Sequence, residues 1–244
     1  MCNDSHVASI RPPEVYQIYE FLKPKGLTTA NRHMEKLSHV FTKAVEWGVV
    51  ADHPMTNRKF VKQHPKLKKV YVTDEQVAQA VSMAPDMIVS YVRLKLMTGL
   101  RMTDMLQLKW SDYDENGLHV APSKTALSSG IALVLTRSPR LDEVLRELKA
   151  QNPLDIPQYV FTTREGKPYI KADKSATAFR SMWQRWMHRV EKQHGFKFTE
   201  RSLRVKAGSD AKSDQAAAEM LAHTSTLTTI RHYRAKEREI NTGD

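Results

Sequence analysis

Cysteine is almost missing from this sequence, and its scarcity limits the sites that the protein can build. Cys2 is the single cysteine among 244 residues. One thiol excludes an internal disulfide and a zinc site made of several cysteines, and it is typical of a protein of the reducing cytoplasm. No cysteine or carboxylate cluster completes a zinc site beside the two histidine pairs with five residues between them, His33 with His39 and His188 with His194. We therefore predict that the protein holds no metal.

Long apolar runs and glycine-rich loops are absent from the sequence as well. No stretch approaches the roughly 18 uninterrupted apolar residues of a membrane span. The N-terminal stretch MCNDSHVASIRPPEV lacks the apolar segment of a secretion signal. The sequence contains no glycine-rich phosphate loop, no G-x-S-x-G elbow and no H-E-x-x-H motif. These absences exclude several common enzyme classes and favour a protein that stays in the cytoplasm.

Basic residues exceed acidic residues, giving a formal net charge of +11 and a pI of about 9.7. The excess is present in both parts of the chain, with 11 basic and 6 acidic residues over 1–68 and 27 basic and 21 acidic residues over 69–244. Such a balance favours a polyanionic partner, most commonly nucleic acid. A basic protein without any such partner is the alternative. If the partner is DNA, the protein is cytoplasmic and associated with the nucleoid when bound.

A basic stretch divides the chain. Residues 58–69 contain six lysines or arginines and no acid, which predicts an exposed linker that binds DNA; the alternative is a merely solvated loop. The cations concerned are Arg58, Lys59, Lys62, Lys66, Lys68 and Lys69. We predict a boundary between a first domain over 1–68 and a larger second domain over 69–244, which the family resemblance given below implies are a helical DNA-binding domain and a catalytic domain.

Helical spacing dominates the first part of the chain. The segment 12–22 predicts a helix that begins with two prolines. A second helix, capped by Thr28 or Thr29, is predicted from apolar residues at three- and four-residue spacing: Met34, Leu37, Val40, Phe41, Ala44, Val45 and Trp47. A helix-turn-helix DNA reader is an alternative for this part, but it leaves the rest of the chain unexplained.

The remainder predicts a mainly α protein with a small antiparallel β-sheet, an α+β class. Thr73 and Gln76 form a capping box. Further helices are predicted near 86–98, 103–108, 141–150 and 173–193, and from Thr199 onward. Strands are predicted over 117–121 and 131–135, which flank a polar turn as in a hairpin, and over 159–163.

The first group of chemically suggestive residues is Arg101 with Asp104. Arg101 follows a glycine turn and opens a helix, where its planar guanidinium can bind a phosphate. Asp104 can hold that guanidinium through a charge-assisted hydrogen bond. The alternative is an ordinary pair on a helix surface. Lys124, near the turn of the predicted hairpin, could reach a DNA substrate, although a solvated hairpin lysine is the simpler interpretation of that residue alone.

The second group lies in the C-terminal run. Arg201 and Arg204 occupy adjacent helical turns, and His223 follows a predicted helix end. Tyr233 is surrounded by basic residues, Arg231, His232 and Arg234, whereas a structural tyrosine usually lies among apolar neighbours.

In order and separation, these residues resemble the motifs of the tyrosine recombinase, or phage integrase, family, and most closely those of its lambda-like integrases. T98-G-L-R101 with Asp104 resembles the first motif, and Lys124 in S-K-T resembles the family's lysine between the first and second motifs. R201-S-L-R204 lies where the family has H-x-x-R, L221-A-H223 resembles L-G-H, and Tyr233 falls at the nucleophile. The resemblance covers residues 70–240, and residues 10–68 resemble the helical core-binding domain.

The resemblance implies an enzyme that breaks and rejoins DNA without a cofactor. Tyr233 would attack a phosphate and form a 3′-phosphotyrosine link, while Arg101, Arg201, Arg204 and His223 stabilise the charge on the phosphate. Lys124 would give a proton to the freed 5′-hydroxyl. The implied partners are double-stranded DNA, three further copies of the chain in a homotetramer, and accessory DNA-bending proteins.

The sequence departs from the family pattern at several points. Arg201 replaces histidine, and an arginine binds phosphate but exchanges no proton near neutral pH. Ala222 replaces glycine, and Tyr233 lies ten residues after His223, one more than the commonest spacing. The N-terminal arm-binding domain of lambda-like integrases is expected to be absent.

Three alternative functions remain at this point. The departures leave open a relative that binds DNA but has lost catalysis. A topoisomerase could use the same tyrosine chemistry to relax supercoils. A basic scaffold protein would have no nucleic-acid role.

Overall fold

The structure is a computed structural model that describes residues 6–56, 60–64, 70–121, 132–154, 157–223, 225–233 and 235. The chain divides into two compact units, Met1–Lys68 and Lys69–Asp244. Each unit contains its own cluster of buried apolar side chains. No helix in the described ranges is long and apolar enough to cross a membrane.

The first unit is built on two helices, α1 (Pro12–Leu22) and α2 (Leu27–Glu46). Both predicted helices are therefore confirmed. The predicted cap of α2 is wrong, because Gly26 occupies the N-cap position and no side chain caps the helix. Thr28 and Thr29 consequently lie inside the first turn. A short 3₁₀ turn over Lys23–Lys25 joins the two helices.

The buried side of α2 is narrower than predicted. Val40, Val45 and Trp47 are exposed, Trp47 by 74% of its surface. The apolar residues of this segment lie on more than one face of the helix, and only one narrow face packs against the core. The buried side chains of α2 are Ala30, Met34, Phe41 and Ala44.

Part of the predicted linker is fixed to the first unit. The Phe60 ring lies 5.1 Å from the ring centroids of both Tyr16 and Tyr19. The Tyr19 hydroxyl accepts the Gln63 backbone N–H at 2.9 Å and donates to Asn31 Oδ1 at 2.8 Å. The Asn31 amide in turn donates to the Gln63 carbonyl at 2.9 Å. Side chains of the helices therefore hold the backbone of residues 60–64, while Val61, Gln63 and His64 are exposed, as the linker prediction expects.

Lys62 is the one predicted linker cation within the described residues. Its ammonium lies 3.0 Å from Glu35 Oε1 on α2. Both side chains of this pair are accessible to solvent, and contact of Lys62 with DNA stays a prediction. The remaining predicted linker cations, Arg58, Lys59, Lys66, Lys68 and Lys69, lie outside the described residues.

The second unit is mostly helical. Its helices are α3 (Asp74–Val81), α4 (Asp86–Thr98), α5 (Met102–Gln107), α6 (Pro139–Ala150), α7 (Thr177–His194), α8 (Glu200–Asp210), α9 (Asp214–Met220) and α10 (Thr226–Tyr233). The capping box of α3 is confirmed, since the Thr73 hydroxyl accepts the Gln76 N–H at 3.2 Å and the Gln76 side chain accepts the Thr73 N–H at 3.1 Å.

The sheet of the second unit has two strands in the described ranges. β1 (Gly117–Val120) pairs antiparallel with β2 (Leu133–Thr136), in a register that sets Val120 opposite Leu133. The predicted pair of strands is confirmed, and so is the mainly α class with a small antiparallel sheet. The hairpin turn with Lys124 lies outside the described residues.

The third predicted strand, 159–163, is wrong. Its residues form only single bridges, Lys109 with Tyr159 and Thr162 with Pro168. Phe161 is fully buried in the core. A short apolar run has the same sequence pattern in a buried loop as in a strand. In this segment the apolar pattern therefore indicates burial in the core and not a strand of the sheet.

Aromatic side chains of α7 form the centre of the core. Trp183 and Trp186 lie edge to face at 4.8 Å, and Trp183 lies 6.2 Å from Tyr91 of α4. Trp186 Nε1 donates to the Ala80 carbonyl of α3 at 2.9 Å, so this buried polar atom is satisfied. The core thereby fixes α4, whose C-terminal end carries the turn to Arg101.

Candidate active site

The turn between α4 and α5 presents Arg101. Gly99 ends α4 with a φ of +61°, in the left-handed region that glycine adopts without steric cost. A Cβ at this position would lie 2.9 Å from Leu221 Cδ2, so any larger residue would require Leu221 to move. The chain reverses there and places Arg101 at the N-cap of α5.

Asp104 lies one turn after Arg101, as predicted. Arg101 Nη1 is 3.8 Å from Asp104 Oδ2, and the carboxylate side chain is 2% exposed. This distance allows an ion pair but exceeds that of a hydrogen bond. Arg101 Nη1 is buried and has no hydrogen-bond partner within the described part of the chain.

Arg204 of α8 links the two predicted groups of residues. It is 3% exposed and donates hydrogen bonds to the Gly99 carbonyl and, at 2.8 Å, to the Leu221 carbonyl. Its Nη2 also lies 3.2 Å from His223 Nε2. Burial lowers the pKa of Arg204, and nearby Arg101 lowers it further, while Tyr233 acts in the opposite direction. An arginine still keeps its charge at neutral pH, so a cation is fixed at the centre of the site.

His223 is held in a defined tautomer. An arginine only donates hydrogen bonds, so Nε2 of His223 accepts from Arg204. The ring proton of the neutral imidazole is then on Nδ1, which donates to Thr229 Oγ1 at 2.8 Å. Thr229 is fully buried in α10. The residue before the histidine, Ala222, has a φ of +49° and so adopts a left-handed conformation. It stands at the position of the glycine in the family's L-G-H motif.

Tyr233 ends α10 beside these cations. The centroid of its ring lies 4.8 Å from that of His223. The guanidinium carbons of Arg204 and Arg201 lie 5.1 and 5.7 Å from the same centroid, within the range of cation–π contacts. Arg201 itself is exposed. The predicted residues Arg201, Arg204, His223 and Tyr233 are therefore neighbours in space.

The surrounding charges lower the pKa of the Tyr233 hydroxyl. Burial alone would raise it, because the phenolate loses water. The charge and hydrogen bonding of Arg204 oppose this effect, and the charges of Arg201 and Arg101 add to the opposition, so the net pKa is lower than normal. The ionised form of the hydroxyl is the better nucleophile.

Two small residues of α8 hold the end of α10. The Ser209 hydroxyl donates to the Tyr233 carbonyl at 2.8 Å and accepts the Ala235 N–H at 2.8 Å. A Cβ on Gly208 would lie 3.3 Å from Tyr233 Cβ and 2.9 Å from Leu221 Cδ1, so the close approach of α10 depends on glycine. Gly208 and Ser209 were not among the residues predicted from the sequence, where the run A207-G208-S209 was the available signal.

Lys124, predicted to join this site, lies outside the described residues. Within the described ranges, no three His, Cys, Asp or Glu side chains come together as a metal site. The described site thus consists of a tyrosine hydroxyl of lowered pKa, three arginines and an oriented histidine. Such groups can bind a phosphate beside a hydroxyl nucleophile.

The chain belongs to the phage integrase family, whose model matches residues 70–239. The resemblance to the tyrosine recombinases is thereby confirmed. A curated relative is the integrase of Escherichia phage HK022, 26% identical over 229 residues, which cover 85% of this chain and 64% of that protein. The chain therefore spans less than two thirds of the length of this relative.

Solved structures share the fold. A lambda integrase dimer bound to a core site superposes with a TM-score of 0.79 at 18% identity, covering 98% of this chain and 86% of that one. A lambda integrase tetramer bound to a Holliday junction gives 0.77 at 19% identity, covering 98% and 70%. The Tn1549 transposon integrase in complex with a circular intermediate DNA gives 0.74 at 15% identity, covering 93% and 82%.

Proposed function

We propose that the chain is an active site-specific DNA recombinase that cleaves and rejoins strands through a 3′-phosphotyrosine intermediate. The observation that supports this function best is the set of contacts made by Arg204. One buried guanidinium bonds the turn before Arg101, bonds His223 and lies under the Tyr233 ring. A nucleophile and phosphate-binding cations are thus supplied within a single arrangement.

Unsatisfied donors support a bound oxyanion at this position. Arg101 Nη1 and Arg204 Nε are buried and lack a hydrogen-bond partner in the described ranges. A buried donor without a partner costs about 1–3 kcal/mol. The non-bridging oxygens of a phosphate would satisfy both N–H groups. Such preorganised cations stabilise the charge that develops when a phosphodiester is attacked.

The proposed reaction exchanges one ester bond for another. The Tyr233 hydroxyl loses its proton to solvent as its oxygen bonds to phosphorus, the bond from phosphorus to the 5′-oxygen breaks, and Lys124 gives that oxygen a proton. A 5′-hydroxyl of the partner duplex then returns its proton to the Lys124 amine as its oxygen bonds to phosphorus, the bond from phosphorus to the Tyr233 oxygen breaks, and the phenolate takes up a proton from solvent. Because the energy of the ester is kept in the covalent intermediate, the reaction needs no ATP.

The partners follow from the same proposal. The second unit would bind double-stranded DNA as the catalytic domain, and the first would bind it as a core-binding domain, in line with the positive charge of both parts. We propose a homotetramer on DNA, since a lambda integrase of the same fold is known as a tetramer on a Holliday junction. The protein would act in the cytoplasm, at the nucleoid, with accessory DNA-bending proteins as further candidates. Affinity should fall steeply with salt, because phosphate contacts release counterions.

The decisive experiment traps the covalent intermediate. A duplex from the DNA that flanks the gene is nicked near the scissile phosphate, so that the cleaved fragment diffuses away and cleavage cannot reverse. Wild-type protein is expected to form an SDS-resistant protein–DNA band, and Tyr233→Phe to form none. Tyr71→Phe is the matched control, because it also removes a tyrosine hydroxyl from the second unit and should keep the band.

The other possible outcomes indicate either a different nucleophile or a different function. A band with Tyr233→Phe would mean that another residue attacks. Salt-sensitive binding without any band over a tiled set of flanking duplexes would indicate a non-catalytic DNA-binding relative. Relaxation of a supercoiled plasmid that lacks the flanking site would indicate a topoisomerase. No DNA binding at all would leave a scaffold protein.

A further inference from the structure

Lys95 is a fully buried lysine under the candidate active site. It lies in the last turn of α4 with no exposed surface. Its ammonium forms an ion pair with Glu200, the first residue of α8, and donates a hydrogen bond to the Leu100 carbonyl. Glu200 also accepts a hydrogen bond from the Tyr91 hydroxyl at 2.6 Å. Lys95, Glu200 and Tyr91 lie outside the motifs that carry the family resemblance.

A lysine in this position is costly for folding. Burial lowers the pKa of Lys95 because the charged ammonium loses water, while the negative charge of Glu200 opposes that effect. Replacing a buried ion pair by apolar side chains of similar volume is often neutral or stabilising. Packing between α4 and α8 therefore does not by itself require a charge here, and another role has to account for it.

The turn to Arg101 has two carbonyl groups in succession, and each is bound by a cation. Arg204 donates to the Gly99 carbonyl, and Lys95 donates to the Leu100 carbonyl. The Leu100 carbonyl and the Arg101 nitrogen belong to one planar peptide unit. Lys95 therefore restrains the peptide plane from which the Arg101 side chain extends.

We infer that Lys95 is a positioning residue for Arg101, held in place by Glu200. This inference rests on the proposed recombinase function and adds a residue to its machinery. Lys95 is buried and does not touch DNA, so it acts only through the orientation of the turn. Misplacing a catalytic group by about 1 Å can cost roughly 100-fold in rate. Loss of Lys95 should therefore slow cleavage while DNA binding stays the same.

The test separates positioning from stability by three variants. Lys95→Met removes the ammonium and leaves Glu200 buried without its cation. Lys95→Met with Glu200→Gln removes both charges, so stability is expected to return while the Leu100 carbonyl still lacks its donor. Lys206→Met is the matched control. Lys206 is a 2% exposed lysine on α8 that pairs with Asp74 and Asp210, both at 2.8 Å, and its bonds do not involve the turn before Arg101.

Three quantities are measured for each protein: the midpoint of urea unfolding, the Kd for the nicked duplex, and the single-turnover rate of adduct formation at saturating DNA. We expect Lys95→Met and the double variant to lose about 10- to 100-fold in rate with Kd within about twofold of wild type. Lys206→Met should keep its rate within about threefold, even if it is less stable.

The opposite pattern would overturn the inference. Lys95 has only a structural role if the double variant regains both the unfolding midpoint and the rate of adduct formation. The same conclusion follows if the rate falls in proportion to stability in all the variants, including Lys206→Met. A normal rate for Lys95→Met would have the same meaning. If wild-type protein forms no adduct on the tiled duplexes, the proposed function fails, and the inference fails with it.

Discussion

Arg204 Nη2 and His223 Nε2 face each other at 3.2 Å, and this contact determines where the histidine carries its proton. The proton is on Nδ1, whose acceptor is the buried hydroxyl of Thr229. The orientation of a catalytic-type imidazole thus depends on a threonine six residues later in the chain, on the helix that ends at Tyr233.

We predict that Thr229→Val slows adduct formation by about tenfold. Valine has nearly the shape of threonine but leaves the Nδ1–H of His223 without this acceptor, which costs about 1–3 kcal/mol for a buried donor. Thr229→Ser keeps a hydroxyl and should retain most of the rate. The measurement is the single-turnover rate on the nicked duplex, and equal rates for valine and wild type would contradict the role of Thr229.

Arg201→Gln should move the pH–rate profile to higher pH. The pKa of Tyr233 is lowered because Arg204, Arg201 and Arg101 outweigh the effect of burial. The phenolate fraction rises with pH up to that pKa, so removing Arg201 raises the pKa and shifts the rising limb upward. The loss near neutral pH should stay below about tenfold, since Arg201 is exposed and solvent screens its charge.

The control for this prediction is Arg231→Gln. Arg231 is also exposed and lies on the same helix as Tyr233, but it is not among the main causes of the lowered pKa. The rate of adduct formation is measured over a chosen range from pH 6 to 10. The ionisation of Tyr233 is measured from the difference in ultraviolet absorbance between each protein and its Tyr233→Phe counterpart. An equal shift in both arginine variants would show that general charge, and not the position of Arg201, sets the profile.

Ala222→Gly should stabilise the protein. Ala222 has a φ of +49°, and a left-handed conformation costs a non-glycine residue about 1–2 kcal/mol. Glycine avoids this cost but gives more entropy to the unfolded chain, at about 0.4–1 kcal/mol. We expect a net gain of up to about 1 kcal/mol in the free energy of unfolding, measured with urea. A loss of stability would mean that the Ala222 side chain, which is buried, contributes more by packing than the strain costs.

Tyr19→Phe should release the segment 60–64 from the first unit. The Tyr19 hydroxyl is bonded to the Gln63 N–H and to Asn31 Oδ1, and the net value of such bonds is about 1 kcal/mol each. Amide hydrogen exchange at Gln63 should become faster by about tenfold, with α1 and α2 intact. Tyr16→Phe, which removes a single bond to the Val61 N–H at 3.1 Å, should have a smaller effect. Unchanged protection at Gln63 in Tyr19→Phe would contradict the prediction.

Local sequence patterns were sufficient to predict those site residues whose chemistry and position are both defined by neighbours in the sequence. Arg101 was predicted at the start of a helix because a glycine precedes it, and it is the N-cap of α5. Tyr233 was singled out by its basic neighbours, and it lies against two arginines. Both predictions depended on residues close in sequence, whose geometry follows from helix and turn rules.

Long-range contacts could not be predicted in the same way. Lys95 and Glu200 are far apart in sequence, and a buried ion pair between them depends on how α4 crosses α8. The apolar run 159–163 failed as a strand for a related reason, since the pattern of burial was visible but the absence of a neighbouring strand was not. Helical periodicity also predicted too many buried residues along α2, since Trp47 at its C-terminal end is exposed to solvent.

The tyrosine and the described cations around it come from one chain. Two defective copies, one lacking the Tyr233 hydroxyl and one lacking the Arg204 guanidinium, would therefore fail to complement each other in a mixture, because neither holds a whole site. A Tyr233→Phe copy would instead act as a dominant-negative protein under the proposed function: it would occupy target sites and places in the tetramer while contributing no nucleophile.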